Sequence, residues 1–201
     1  IDALHRAGKK IILVNCSGSP IGLEPETQKC EAILQAWYPG QQGGKAVAEV
    51  LFGDYNPAGK LPVTFYRNVS QLPDFEDYNM TGRTYRYMQD VPLFPFGYGL
   101  SYTTFGYGKT VLDKNELTAG QSLKLTVPVT NTGKRNGEEV VQVYLRKQGD
   151  AEGPIKTLRA FKRVSIPAGK TVNVEFDLKD KELEWWDDQS NTVRVCPGNY
   201  D

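Results

Sequence analysis

The sequence is poor in the residues that mark several common classes of protein. It holds one histidine, His5, and three cysteines, Cys16, Cys30 and Cys196. No Cys-x-x-Cys pair occurs, so the chain does not supply the short-spaced Cys and His ligands of a zinc site. An odd number of cysteines leaves at least one thiol unpaired within the chain. Cys16 and Cys30 follow different elements and either lie close together or, on the simpler reading, are buried free thiols. Charge of one sign is not in excess: Lys+Arg and Asp+Glu are both 24, a net of zero. That balance argues against nucleic acid or an anionic membrane as a partner drawn by bulk charge. No run of about 18 apolar residues is present to cross a bilayer as a helix. No signal-peptide pattern is recognised, and the chain opens on Ile1 rather than Met. Gly40, Gly43 and Gly44 lack both the Lys-Ser/Thr ending of a phosphate loop and a GxGxxG arrangement, and are read as structural.

What is present fits one or two ordinary globular domains: 39% hydrophobic and 24% charged residues over 201 positions. Tyr, Trp, Gly and Pro are plentiful, as in a strand-rich and loop-rich protein with aromatic surfaces. The stretch from Ala36 to Asp54 organises the first part. Pro39-Gly40 is a turn pair. Ala46, Val47, Val50 and Leu51 then recur at helical spacing, and Gly53 stops that helix. Upstream, residues 1–8 resemble the last turns of a helix. Lys10–Asn15 is a β-branched run that predicts a buried parallel strand. Glu24–Lys29 is a short helix or loop, and Cys30–Tyr38 fits a second strand. Strand, connection, strand and helix predict an α/β layered domain.

Residues 66–100 mix aromatics, Pro, Gly and acids without a period, and such a long loop is normally functional or lies against another domain. From about residue 110 the pattern is all-β. Ser122–Asn131 alternates with period two, and Pro128 within it predicts an edge position or a bulge. Glu139–Leu145, Lys156–Ile166, Thr171–Leu178 and Asn191–Val195 follow, separated by turn signals, and predict a β-sandwich. Asp201 falls just after a turn, where one more strand would close it. The chain reads as cut at both ends.

Here the residues match a known family. Trp37-Tyr38-Pro39-Gly40-Gln41-Gln42-Gly43-Gly44 and Gly53-Asp54-Tyr55-Asn56-Pro57-Ala58-Gly59-Lys60-Leu61-Pro62-Val63-Thr64-Phe65 resemble the C-terminal α/β sandwich of glycoside hydrolase family 3. Phe94–Phe105 resembles the family's junction into its third domain. Val129–Gly133, Gly137–Tyr144 and Leu158–Val164 resemble that domain, a fibronectin type III-like sandwich of the immunoglobulin class. The expected organisation is therefore a truncated α/β sandwich (1–66), an aromatic junction (67–110) and a fibronectin type III-like sandwich (111–201) without its last strand. Gly82-Arg83-Thr84-Tyr85-Arg86-Tyr87 resembles the β-xylosidase branch more than the β-glucosidase branch.

The resemblance implies a retaining exo-acting β-glycosidase that works through two carboxylates, a pair about 5–5.5 Å apart in such enzymes. In the family the nucleophile is an Asp on an N-terminal barrel, and the acid/base is usually a Glu well upstream of the Pro-Gly-Gln motif. Neither position falls in this chain, so no catalytic residue is expected here. Glu24, Glu26 and Glu31 are read as a solvated connection. No cofactor or metal is implied. The resemblance also implies a secreted or periplasmic parent, where oligosaccharides are met.

The candidate substrate-binding residues are Asp74, Glu76, Tyr78, Arg83 and Arg86, read as a pocket rim. The plainer alternatives are a solvated acidic loop, with Asp77, and structural ion pairs for the two arginines. Trp37 and Tyr38 stack on a sugar or pack on the absent barrel. Of Trp185 and Trp186, alternation sends one to the core and one to the surface. Asn15, Asn68 and Asn79 open glycosylation sequons. Two further readings stand beside the glycosidase: a carbohydrate-binding or adhesion module using the tryptophans, and a structural sandwich that mediates homodimerisation.

Overall fold

The apolar run after Lys10 does form a strand, and it pairs in parallel with the next. In the computed structural model, which describes residues 1–201, α1 spans Asp2–Arg6, β1 Ile12–Asn15, α2 Glu24–Thr27, β2 Ala32–Gln35 and α3 Gly43–Phe52. The β1–β2 register runs from Ile12↔Ala32 to Asn15↔Gln35. Its end is latched by side chains: Asn15 Nδ2 donates to Gln35 Oε1 at 2.5 Å and to Ser17 Oγ at 2.9 Å. Gly53 ends α3 at φ 82°, a left-handed conformation that costs glycine little.

Two expectations for this part need correction. β1 is not a buried strand, since Ile12 is 53% exposed. The helical stripe is also only partly covered: Val47 and Val50 are half-buried, whereas Ala46 and Leu51 are exposed. The reason is width. Two strands about 5 Å apart are narrower than a helix about 10 Å across, so they cannot cover a whole apolar face.

The aromatic segment gains order by folding back on Leu61–Phe65. Phe65 donates its N–H to Phe94 O at 2.9 Å, and Leu61 donates to Tyr98 O at 2.8 Å. The Phe65 ring is 1% exposed, with Trp37 and Phe94 edge-on at 6.1 and 6.3 Å. Phe94 stacks on Tyr98, and Tyr85 on Phe96 at 4.2 Å. The Trp37 ring is thus a packing element, whereas Tyr38 is 80% exposed. One helical turn, α4, spans Thr84–Tyr87.

The residues divide into two units, Ile1–Tyr55 with Lys60–Tyr98, and Asn56–Gly59 with Gly99–Asp201. In the second lie β3 (Phe105–Tyr107), β4 (Val111–Leu112), β5 (Leu123–Asn131), β6 (Gly137–Leu145), β7 (Thr157–Ile166), β8 (Thr171–Leu178), α5 (Asp180–Leu183), β9 (Glu184–Asp187) and β10 (Thr192–Val195). β5 pairs with β8 on one side and with β3 and β4 on the other, β6 pairs with β7, and β9 with β10, all antiparallel. Alternation along β5, β6 and β8 sends Val127, Val129, Val141, Val174, Phe176 and Leu178 into one core with Ile166. Each such side chain, fully buried, contributes about 1.5–3 kcal/mol.

Pro128 sits neither at an edge nor at a bulge. It lies in β5, the central strand, opposite Asn173 of β8. On its other side the neighbouring chain breaks between β3 and β4, and Gly108 there donates to Pro128 O at 2.8 Å. N–H and C=O of one strand residue point the same way, so the donor that proline lacks would face Gly108 at this break, and the β3–β5 ladder forgoes only the second bond of its last pair. Gly108 is required as well: a Cβ would come within 2.5 Å of Pro128 Cγ.

Asn131, wholly buried at the end of β5, ties three connections together. Its Oδ1 accepts from Thr103 Oγ1 at 2.6 Å and Gly133 N–H at 3.1 Å. Its Nδ2 donates to Arg135 O at 2.8 Å and Ile166 O at 2.9 Å. Trp185 is 3% exposed and Trp186 50%, as strand alternation requires. The buried indole donates to Asp150 Oδ2 at 2.7 Å, so only Trp186 remains for a surface role. All three cysteines are free, and the buried-thiol reading holds for Cys196 alone: Cys30 is half-buried, and Cys16 is exposed in the loop after β1.

Candidate functional site

The five candidate residues lie on one loop and its exit, between Asn68 and α4. Turn chemistry builds it. Asn68 Oδ1 accepts the Ser70 N–H at 3.0 Å, Asp74 Oδ1 the Glu76 N–H at 2.9 Å, and Asp77 Oδ1 the Asn79 N–H at 2.9 Å. Short acceptors that bond two residues ahead are the usual device for such turns. The hydrogen bonds from Asn79 hold the Asp77 carboxyl below its ordinary range, with the Arg83 charge adding to them.

Arg83 closes the loop. Its Nε donates to Asn79 O at 3.0 Å, and its Nη2 to Asp74 O at 3.3 Å and to Asp77 O. A planar guanidinium with five donors can hold several carbonyls at once, and a lysine cannot. These bonds end on the backbone rather than on the Asp74 or Asp77 carboxylates. Thr84 follows at φ 58°, an uncommon conformation for a β-branched residue, and its N–H donates to Tyr66 Oη at 3.0 Å.

A groove of about 670 Å³ runs along the loop, with Leu72, Phe75, Tyr78 and Met80 on its apolar sides and Asp74 and Arg83 among its polar groups. Phe75 and Tyr78 are 92% and 90% exposed. The structure thus brings Asp74, Tyr78 and Arg83 to one groove. Glu76 is exposed and outside the lining, and Arg86 is exposed on α4, where its N–H donates to Thr84 Oγ1. Phe75, Leu72 and Met80 were outside the candidate set; the signal for them is a run of apolar residues in an otherwise acidic loop.

Rigid, exposed aromatic rings can stack on a sugar or pack on a protein surface. General acid catalysis asks for something else, a carboxyl with a raised pKa. The carboxyls displaced here, Asp2, Asp77 and Asp187, all move down, held by hydrogen bonds from Lys29, from Asn79, and from Ser190 and Arg194. Glu24 is ion-paired to Arg67 at 2.7 Å. No group of three or more His, Cys, Asp or Glu is placed to hold a metal ion.

Fold and groove together define a protein with an α/β layer followed by a fibronectin type III-like sandwich. Residues 1–102 match the glycosyl hydrolase family 3 C-terminal domain, and residues 139–201 the fibronectin type III-like domain. The chain belongs to glycosyl hydrolase family 3, of which it carries these C-terminal parts. It is 57% identical over 201 residues to a xylan 1,4-β-xylosidase of Xylanibacter ruminicola, a match covering 100% of this chain and 23% of that protein. A periplasmic β-glucosidase of Salmonella typhimurium is 40% identical, with 94% of this chain and 26% of that one covered. A solved β-glucosidase from Erythrobacter marinus superposes with a TM-score of 0.85 at 41% identity, over 99% of this chain and 27% of the other. The chain therefore spans about a quarter of the length of these relatives.

Proposed function

We propose that this chain is the C-terminal portion of a retaining, exo-acting β-glycosidase that removes terminal β-linked sugars from the non-reducing ends of oligosaccharides, with xylosides preferred to glucosides. The observation that carries the reading is the 57% identity, along the whole chain, to a relative named xylan 1,4-β-xylosidase. Gly82–Tyr87, the segment that resembles the β-xylosidase branch, exits the groove loop and supports the sugar preference. The carboxylates for double displacement come from upstream parts of the protein. Within this chain Glu24 pairs with Arg67, and Asp74 and Asp77 hold their own turns. The Asp74–Arg86 loop, with Glu76, Tyr78 and Arg83, forms the rim of the sugar pocket, and the locked aromatic residues face the leaving group. The parent works in the periplasm or outside the cell, in line with the periplasmic name of the Salmonella relative.

The test compares hydrolysis of aryl β-xyloside and aryl β-glucoside by the purified 201-residue chain and by the protein with its upstream barrel. The chain alone is expected to be inert, and the longer protein to favour the xyloside. In the longer protein, Phe75→Ala and Tyr78→Ala raise KM several-fold with little change in kcat, a loss of about 1 kcal/mol of binding per ring. Turnover by the chain alone that disappears on mutating Glu24, Glu26, Asp74 or Glu76 overturns the reading.

A further inference from the structure

The groove loop is braced from within. Leu72 donates its N–H to Val69 O at 3.0 Å, Asp77 to Asp74 O at 3.1 Å and Arg83 to Met80 O at 2.9 Å. The side-chain bonds of Asp74, Asp77, Asn79 and Arg83 also end inside the loop. The hydrogen bonds of residues 72–83 thus all have partners between Val69 and Arg83. None of these residues is more than half-buried. Such a segment is stiff inside and weakly held outside, in the manner of a compact surface loop.

The chain on either side is anchored. Gln71 Oε1 accepts the Arg67 N–H at 2.7 Å, and Gln71 Nε2 donates to Val91 O at 3.3 Å. Beyond the loop, Tyr85 of α4 stacks on Phe96 at 4.2 Å. The turning points lie between these anchors. One is Leu72, extended at φ −88° and ψ 136°. The other is Gly82–Thr84, with Gly82 at φ 73° and Thr84 at φ 58°. Glycine takes such an angle freely, but a threonine there is strained, because its branched Cβ crowds the backbone. One bond opposes that strain, from the Thr84 N–H to Tyr66 Oη at 3.0 Å. Bond and strain therefore pull the same hinge in opposite directions.

We propose that Pro73–Arg83 is a rigid lid, hinged at Leu72 and at Gly82–Thr84, and that the Tyr66 hydroxyl is the catch that holds its present position. Releasing the catch lets Thr84 return to a negative φ. The loop then swings as one body and carries the Phe75 and Tyr78 rings with it. A few residues at element ends that absorb the change in φ and ψ are the usual hinges of such motions. The ligand is a sugar ring. Two rings 92% and 90% exposed on a stiff support gain stacking area when the lid comes down on it. What the lid covers rests on the pocket-rim reading; the swing itself does not.

The test reads the distance between spin labels at Glu76→Cys on the loop and Lys45→Cys on α3, by pulsed dipolar spectroscopy. It uses the 201-residue chain with Cys16→Ser and Cys30→Ser, Cys196 being buried. Tyr66→Phe removes the catch and should shift the population toward a second distance by about two- to tenfold. Thr84→Gly removes the strain and should confine the loop to the first distance. Hydrogen exchange at the amides of Glu76, Asp77, Asn79 and Arg83 should be the same in all three chains, because their bonds travel with the loop. One unchanged distance throughout overturns the lid, and a shift of the same sign in both variants overturns the catch. A new distance with faster exchange at those four amides is local unfolding and overturns the rigid body. In the longer protein, Tyr66→Phe should lower KM for aryl β-xyloside and Thr84→Gly should raise it, each about two- to tenfold. Distances that shift while KM stays constant overturn the pocket-rim reading and leave the lid standing.

Discussion

Asn131 gives the sharpest test of how the sandwich is held together. Its side chain is wholly buried and makes four hydrogen bonds, two as acceptor and two as donor. Replacing it with alanine does not affect its four partners equally. Arg135 is exposed and Gly133 half-buried, so water can reach their backbone groups. The Thr103 hydroxyl and the Ile166 carbonyl belong to residues 7% and 0% exposed and are stranded. A stranded buried group costs about 1–3 kcal/mol, so two make about 2–6 kcal/mol for Asn131→Ala. Thr103→Val removes one bond but leaves Asn131 Oδ1 its Gly133 donor, and costs about 1 kcal/mol. The Thr103 bond is already lost in Asn131→Ala, so the double variant should be less destabilised than the sum of the singles. The assay is urea unfolding in a Trp37→Phe background, where Trp185 and Trp186 report this unit alone. An Asn131→Ala change below about 1 kcal/mol, or strict additivity in the cycle, would refute the reasoning.

Three further outcomes are expected. Gly108→Ala pushes a Cβ to within 2.5 Å of Pro128 Cγ and should cost about 1–3 kcal/mol; Pro128→Val in the same chain should recover part of that loss in urea unfolding. Tyr107 is 54% exposed as a residue, but partial burial of its phenol, and secondarily the Glu139 charge, raise that group from 10.0 to about 12. The folded state therefore keeps this proton longer than the unfolded chain. Its share of stability is complete below pH 10 and is lost as pH rises to about 12. Tyr107→Phe should flatten the fall of the urea midpoint over that window, and ultraviolet titration should show one tyrosine fewer ionising late. Arg83→Lys keeps the charge but loses the fork, so amides and protease sites between residues 74 and 83 should open, measured by exchange and limited proteolysis. The urea midpoint of the sandwich should not move, because the loop belongs to the other unit.

Period-two alternation made β5, β6 and β8 legible, and it also separated Trp185 from Trp186, because side-chain direction in a strand follows from position alone. β3 and β4 were not read as strands. They hold three and two residues, too few for a period to show, and Gly106 interrupts the first. That gap in the reading also misdirected the account of Pro128. A proline inside an alternating run signals a missing donor, and the usual places to hide one are an edge or a bulge. The structure uses a third, a break in the neighbouring strand. The nearby Gly106 and Gly108 were the local trace of that break, but only the β5 register shows which residue they oppose.

The groove loop failed to resolve for a related reason. Sequence shows Asp74, Asp77 and Arg83 as charges of opposite sign at short spacing, and opposite charges suggest an ion pair or a ligand. Their partners in the structure are mainly backbone groups: amides for the two acids, with the Asn79 side chain added at Asp77, and carbonyls for the guanidinium. Backbone groups carry no residue identity, so no pattern of side chains reveals them. The consequence for function is direct. The Asp77 carboxylate, engaged by the Asn79 hydrogen bonds, favours its charged form, which opposes the proton donation a glycosidase acid must perform. The groups left facing solvent are the rings of Phe75 and Tyr78, on a backbone that Arg83 keeps closed. On the proposed role of this loop as a pocket rim, KM should therefore follow ring removal and depend little on pH across the range where Asp77 is already ionised.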